Sequence, residues 1–427
     1  MICAMKGKPK DIRISPYHVD VLDGIRAYSV LMVLWFHFWQ QSWLMPIWQL
    51  PASLRAAGFP AVINLDFIPR AGYLFVDMML LLSGFCLFLP WARSALLGEK
   101  QPDWKQFYRK RLIRILPSYY FAVLAIFVFF SLPYGGYASA REALKDLLPT
   151  LTFTQVFFRY SYLYTKINGA LWTVAVEMQF YLLFPLLAAC MKRKPLLTWI
   201  GMTAVSVAYL QLYVLRHTDV IPMTVNQLPS FFGVFANGMA AAYLFVWIST
   251  KTVRSWKTAV PATLLSLGFW ALSFWLVRQC AAYPTLQVWQ AAWRHRLSWS
   301  FTGAILSTAL ALPAWRFVFS NRAARFLAGI SYNLYIWHQW LAVKRKYKWR
   351  LPAWQGDTPP NQLGTPEGNT WSWKYALVIT VVSFVIATLV TYLWEKPMAD
   401  ILNGRPSIYT GKLKKKKAER QSQASGK

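Results

Sequence analysis

Long apolar runs separated by shorter polar and basic stretches dominate this chain. A helix needs roughly 20 mostly apolar residues to cross the hydrocarbon core of a bilayer. Ten such runs can be marked, at 21–42, 72–91, 115–133, 170–191, 196–213, 228–248, 259–277, 297–314, 326–343 and 375–394. The pattern predicts an all-α fold, a polytopic integral membrane bundle of about ten transmembrane helices. Ten helices sharing one core make a single membrane domain over 21–398, preceded by a short segment, 1–20, and followed by a polar, basic tail, 399–427. The end of that tail is expected to be disordered, and no appended soluble domain is expected. The segments 43–71, 134–169 and 344–374 are rich in Trp, Tyr, Pro and Gly. They either cap the bundle and shape an acceptor site or are interfacial aromatics. No repeat or inverted symmetry stands out, which counts against a secondary transporter.

Composition agrees with the pattern: 56% of the 427 residues are hydrophobic, 17% are aromatic, and 23 are Trp. A net charge of +30 would suit nucleic acid, but its distribution points elsewhere. With the N-terminus inside, the inner segments hold 29 Lys and Arg, the outer segments 16, and Arg26 within the first run completes the 46. That asymmetry follows the positive-inside rule, so both termini are expected to be cytoplasmic. The stretch Lys344–Arg350 dissents, being basic yet outside. The run Lys412–Lys417 reads as a juxtamembrane segment facing anionic membrane lipids, with no nucleic acid partner expected. Cys3, Cys86 and Cys190 fall on the inner side and Cys280 outside, so no intramolecular disulfide is expected. Nor is there any metal-ligand spacing. Lys6, Lys8 and Lys10 before an apolar run resemble a signal peptide, but the run is full-length and contains Arg26 and His37. It reads as an uncleaved first span.

Ionisable residues inside a span are costly, so each is a functional hypothesis. Arg26 and His37 lie eleven residues apart, about three turns and roughly 16 Å along one helix face. That face suits a ligand lying along the helix; a snorkelling Arg with an unrelated His would explain the spacing equally well. Asp77 lies near the outer end of the second run. Thr173, Glu177 and Tyr181 recur at i, i+4 and i+8 in the fourth, and His338 lies at a similar depth in the ninth. A His with carboxylates at one depth is equipment for general base catalysis; a polar network joining helices is the plainer alternative. His18, His217 and His295 are placed in loops or at termini. On the inner side, Arg111 and Arg114 share a face at i, i+3 near a helix N-terminus. They suit bidentate phosphate contacts, or they are ordinary positive-inside residues.

Six segments together resemble, in this order, motifs of the membrane-bound acyltransferase 3 family: LDGIRAYSVLMVLWFH, FVDMMLLLSGF, FYRKRLIRILPSYY, ALWTVAVEMQFYLLFP, GISYNLYIWH and TYLWEKP. The resemblance runs from about residue 20 to 398 and implies a ten-helix inner-membrane enzyme, expected here in a bacterial cell membrane. Such an enzyme moves an acyl group, often acetyl, from cytoplasmic acyl-CoA to a hydroxyl. The implied acceptor is a cell-surface glycan or lipid-linked sugar, or a small natural product. His37 matches the position regarded as catalytic, and Arg26, Arg111 and Arg114 match the family's Arg patterns. Asp77, Ser83 and Gly84 match the second-span motif, and Trp172, Glu177 and Tyr181 the fourth. Gly233 and Gly238 are recognisable in the sixth span, where a charge often found just upstream is absent. The implied mechanism holds the donor's phosphates on Arg26, Arg111 and Arg114. His37 then acts as general base or as acyl carrier, oriented by Asp77 or Glu177, with Ser83, Trp172, Thr173, Tyr181 and His338 as acceptor or supporting residues. No bound cofactor is expected beyond acyl-CoA as co-substrate. A glycan or lipid transporter would use the same intramembrane charges, and a purely structural membrane partner would leave them unexplained.

Overall fold

A computed structural model describes residues 12–17, 19–42, 46–348 and 366–409. His18, Cys3, most of the 344–374 segment and the run Lys412–Lys417 lie outside the described residues. Ten long helices follow in chain order: α1 (Val21–Ser42), α2 (Phe75–Leu96), α3 (Trp104–Ile126), α4 (Trp172–Arg193), α5 (Pro195–Ala208), α6 (Leu228–Lys251), α7 (Trp256–Arg278), α8 (Leu286–Leu310), α9 (Arg322–Lys348) and α10 (Pro366–Val390). The chain is thus a polytopic helical membrane bundle. By length and composition the count differs from ten. Among the described residues eight helical stretches are individually apolar enough to span, and a ninth arises if Leu286–Leu310 and Pro313–Lys344, which meet at a bend of 114°, count as one. The reason is polar content: α8 begins eleven residues before the expected 297 and takes in Arg294, His295 and Arg296.

Sequence signals fix several helix ends. Asp103 caps α3, accepting from the backbone N–H of Lys105 and Gln106. Ser255 and Thr258 form a capping box on α7, and Thr285 caps α8. Asn168 accepts from Ala170 N at 3.1 Å and donates to Ile336 O at 2.6 Å, tying the start of α4 to the middle of α9.

The core is built around α2 and α6. A Cβ on Gly84 would lie 2.7 Å from the Phe235 carbonyl oxygen, and one on Gly238 would lie 2.1 Å from that of Leu81. Two glycines therefore let these backbones touch, the usual route to tight helix packing in lipid. The contact fixes the height of Ser83, beside Gly84, and of Asp77 two turns along.

Two short antiparallel pairs sit outside the bundle. One joins β1 (Ile12–Arg13) to β4 (Val253–Arg254), the other β2 (Ile47–Gln49) to β3 (Val62–Asn64). The first places the chain before α1 at the same end of the bundle as the α6–α7 connection. Asp20 and Arg316 form an ion pair at that end, where Arg109 also donates to Leu402 O at 3.1 Å. This basic end is the one the charge pattern assigns to the cytoplasm.

Candidate functional site

A cavity of about 330 Å³ opens among α1, α2, α3, α4 and α9. Its basic end is lined by Arg26, Arg111 and Arg114, its deeper part by Ser83, Thr173, Glu177, Tyr181, Tyr332 and Tyr335. On α2 the lining runs from Val76 to Leu89, about 20 Å at 1.5 Å per residue. Arg114 is close enough to feel both Arg26 and Arg111, with the Glu177 carboxylate supplying the opposing charge. It stays exposed although it lies inside the bundle, because it faces this cavity. Three guanidinium groups held together repel one another, so the cluster stores a demand for an anion. Arg111 packs 5.9 Å from the Phe107 ring and 6.0 Å from the Tyr181 ring, which limits its movement.

Further in, Glu177 accepts a hydrogen bond from Ser83 Oγ at 2.6 Å and a second, short one from the Tyr181 hydroxyl. The i, i+4, i+8 stripe on α4 therefore works as a unit. Tyr181 and Ser83 hold the Glu177 carboxylate, and Thr173 completes the wall one turn beyond.

His37 lies outside this lining. Its Nδ1 is 3.0 Å from Gln40 Oε1, and its ring centroid is 5.0 Å from that of His338. His338 is fully buried, with Nδ1 2.7 Å from the carbonyl oxygen of Tyr335. A carbonyl only accepts, so Nδ1 carries the proton and Nε2 is a bare lone pair with no hydrogen-bond partner. Tyr335 thus links the cavity to the histidines: its side chain lines the cavity, and its backbone carbonyl fixes the tautomer of His338, against which His37 packs.

Asp77 is engaged elsewhere. It pairs with Arg294 of α8 at 3.0 Å, both side chains fully buried. Arg294 also donates to Val225 O at 2.7 Å and sits 4.0 Å over the Phe231 ring. Trp172 stacks on the same Phe231 ring, with centroids 6.0 Å apart. Neither Asp77 nor Glu177 is a hydrogen-bond partner of His37; Gln40 holds that place.

Residues that the sequence did not single out contribute as well. Arg294 falls just before the eighth apolar run, and the hydropathy pattern places His295 there in a loop. Both lie in α8, and His295 packs against Gly233, with its two ring nitrogens unpartnered. Glu395 falls in a π-helical segment, Thr391–Glu395, that extends α10. It accepts from Asn333 at 2.5 Å and from Ser118 at 3.4 Å, and Arg114 is near enough to act on it electrostatically. A lone acid at the end of an apolar run was the available signal. Among the described residues no group of three or more His, Cys, Asp or Glu side chains is placed to hold a metal ion.

Residues 19–395 match the model of a family described as an acyltransferase domain. The chain is 23% identical over 403 residues to the "Putative peptidoglycan O-acetyltransferase YrhL" of Bacillus subtilis (strain 168), covering 89% of this chain and 55% of that protein. It is 22% identical over 425 residues to the "Peptidoglycan O-acetyltransferase OatA" of Listeria monocytogenes, covering 93% and 58%. A shorter match, 25% over 181 residues, links it to the "O-acetyltransferase OatA" of Staphylococcus aureus (strain NCTC 8325 / PS 47), covering 40% and 25%. The chain spans about half the length of the curated relatives it matches along most of its own length. No solved structure matches it.

Proposed function

Because the chain belongs to the acyltransferase 3 family, we propose that it transfers an acetyl group from coenzyme A to a hydroxyl of a cell-envelope glycan. A peptidoglycan-type acceptor is the choice supported by the names of its relatives. The observation that carries the donor half is the cavity with Arg26, Arg111 and Arg114 at its basic end. At about 330 Å³ it is near the lower limit of small-molecule sites. It therefore suits an extended arm whose phosphate-bearing head stays at the arginines. An arm of that kind brings a thioester to the level of Glu177 and Thr173.

His37 is the proposed general base. With Nδ1–H donated to Gln40, its Nε2 is free to take a proton from the acceptor hydroxyl as that oxygen attacks the thioester carbonyl. The acetyl–sulfur bond breaks, the thiolate leaves toward the basic end, and the proton on His37 neutralises it. His338 supports His37 through the ring contact. Glu177, held by Ser83 and Tyr181, sets the polarity of the cavity wall. Asp77 enters through its buried ion pair with Arg294, which holds α2 to α8 and so supports the site's frame.

Purified protein in lipid nanodiscs, given labelled acetyl-CoA and a soluble glycan fragment, should label the glycan and hydrolyse the thioester slowly without it. Absence of both coenzyme A binding and thioester turnover would overturn the donor assignment. Transfer from a different acyl donor would keep the reaction class and replace the donor.

A further inference from the structure

A second hollow, about 1000 Å³, runs along the outside of the bundle between α3 and the chain that follows α10. Its walls include Leu112, Leu116, Phe121, Phe129 and Trp394, and Arg109 is the single charged residue among those lining it. Local chemistry explains its existence. Pro117 lies inside α3, so the carbonyl four residues earlier has lost its usual donor. Opposite it, the π-helical turn Thr391–Glu395 swings Trp394 inward. Trp394 Nε1 donates to Pro117 O at 2.9 Å, and its ring stacks on Phe121 at 4.9 Å. The two irregularities are pinned to each other, so the groove is a built feature.

Its dimensions and charge identify an occupant. From Arg109 to Phe129 is 20 residues, or about 30 Å, the thickness of a bilayer's hydrocarbon core. The apolar floor therefore lies within the acyl region, and Arg109 lies at the headgroup level of the basic end. Arg109 is fixed by its bond to Leu402 O, which leaves most of its guanidinium donors free for a phosphate. The opposite stripe of α3, Arg111, Arg114 and Ile115, lines the inner cavity. One helix thus carries two sites back to back.

We propose that this groove is a binding site for an anionic glycerophospholipid of the leaflet at the basic end, with its phosphate on Arg109 and an acyl chain along α3. The inference does not rest on the acyl-transfer reading. It is tested by native mass spectrometry of the full-length protein released from detergent after incubation with phosphatidylglycerol, phosphatidylcholine or a polyprenyl phosphate. Phosphatidylglycerol should be retained over phosphatidylcholine, whose choline cation offsets the charge of its phosphate, by about fivefold, the scale of one basic residue facing an anionic headgroup. Arg109→Gln should abolish that preference, and Leu116→Trp should abolish retention of either phospholipid. Leu264→Trp, on the exposed face of α7 away from the groove, should leave both unchanged. Equal retention of the two phospholipids by the unaltered protein overturns the proposal, and so does preferential retention of the polyprenyl phosphate. Neither outcome depends on whether a variant folds.

Discussion

Replacing Asp77 by Ala removes one partner of an ion pair whose two side chains are both fully buried. The Arg294 guanidinium left behind keeps only Val225 O and the face of Phe231. Stranding a buried charge in this way costs about 3–5 kcal/mol, a large share of the roughly 5–15 kcal/mol that holds a typical domain together. The Asp77→Ala protein should therefore melt at least ~5 °C lower in detergent, with the shift read by fluorescence-detected size exclusion after heating. Removing both charges has a different effect. In Asp77→Leu combined with Arg294→Met no ion is left unpaired, and the remaining loss is the donor to Val225 O, about 1–3 kcal/mol. The double variant should recover more than half of the lost thermal stability and, with it, most of the transfer activity. If Asp77 acted on the chemistry through His37, the single variant would be stable yet slow, and the double variant would be stable and equally slow. That pattern would refute the structural role argued for the pair.

For His37→Ala, kcat and kcat/KM should fall together by about 10²–10⁴ while donor affinity is nearly unchanged, because a general base acts in the transition state. Its measurement is steady-state turnover beside coenzyme A binding, and near-normal turnover in correctly inserted protein would exclude the assignment. His338→Ala should cost much less. Replacing both Arg111 and Arg114 by Ala should weaken coenzyme A binding, each charged contact being worth roughly 1.5–3 kcal/mol. Lys at either position should rescue only in part, having no bidentate fork; unchanged affinity in the double Ala variant would make these ordinary positive-inside residues. At the far end of the bundle, the Tyr160 hydroxyl and the backbone of Ala138 hold the Glu142 carboxyl below its usual value of 4.5. The ordering this gives to residues 138–160 is fully present above pH 4.5. It is lost as pH falls through the lowered value, and proteolysis of that segment should rise there in the native chain but not in Tyr160→Phe.

How much of this was legible in the sequence depended on whether a residue's partner lay on its own helix. The stripe of Thr173, Glu177 and Tyr181 and the arginines at 111 and 114 are set by helical periodicity. Their meeting in one cavity depends on contacts between helices. The common depth counted for His37, Asp77, Glu177 and His338 does not make those four one site: His37 meets His338, Asp77 meets Arg294, and Glu177 meets Ser83 and Tyr181. The β1–β4 pair, which places Ile12 opposite Arg254, depends on contacts across about 240 residues, and no local pattern announces such a contact.

Asp77 and Arg294 show the same limit more sharply. Hydropathy marked the eighth run from 297, because Arg294, His295 and Arg296 make the preceding turn look like a loop. The helix nevertheless starts at Leu286. In a bilayer an Arg three residues outside an apolar run normally belongs to the interface. Here it is buried because a carboxylate on α2 and a carbonyl beyond α5 meet it. The apolar pattern omits a charged residue whose cost is cancelled by a partner elsewhere. An unexplained intramembrane acid such as Asp77 is therefore better read as a search for its cation than as a catalytic group in waiting. By that rule Glu395, with Arg114 nearby and Ser118 and Asn333 as donors, belongs first to the frame that holds the arginine cluster. Glu395→Gln should then disturb donor binding more than the chemical step. A fall in kcat with donor affinity intact would place Glu395 with the reacting groups instead.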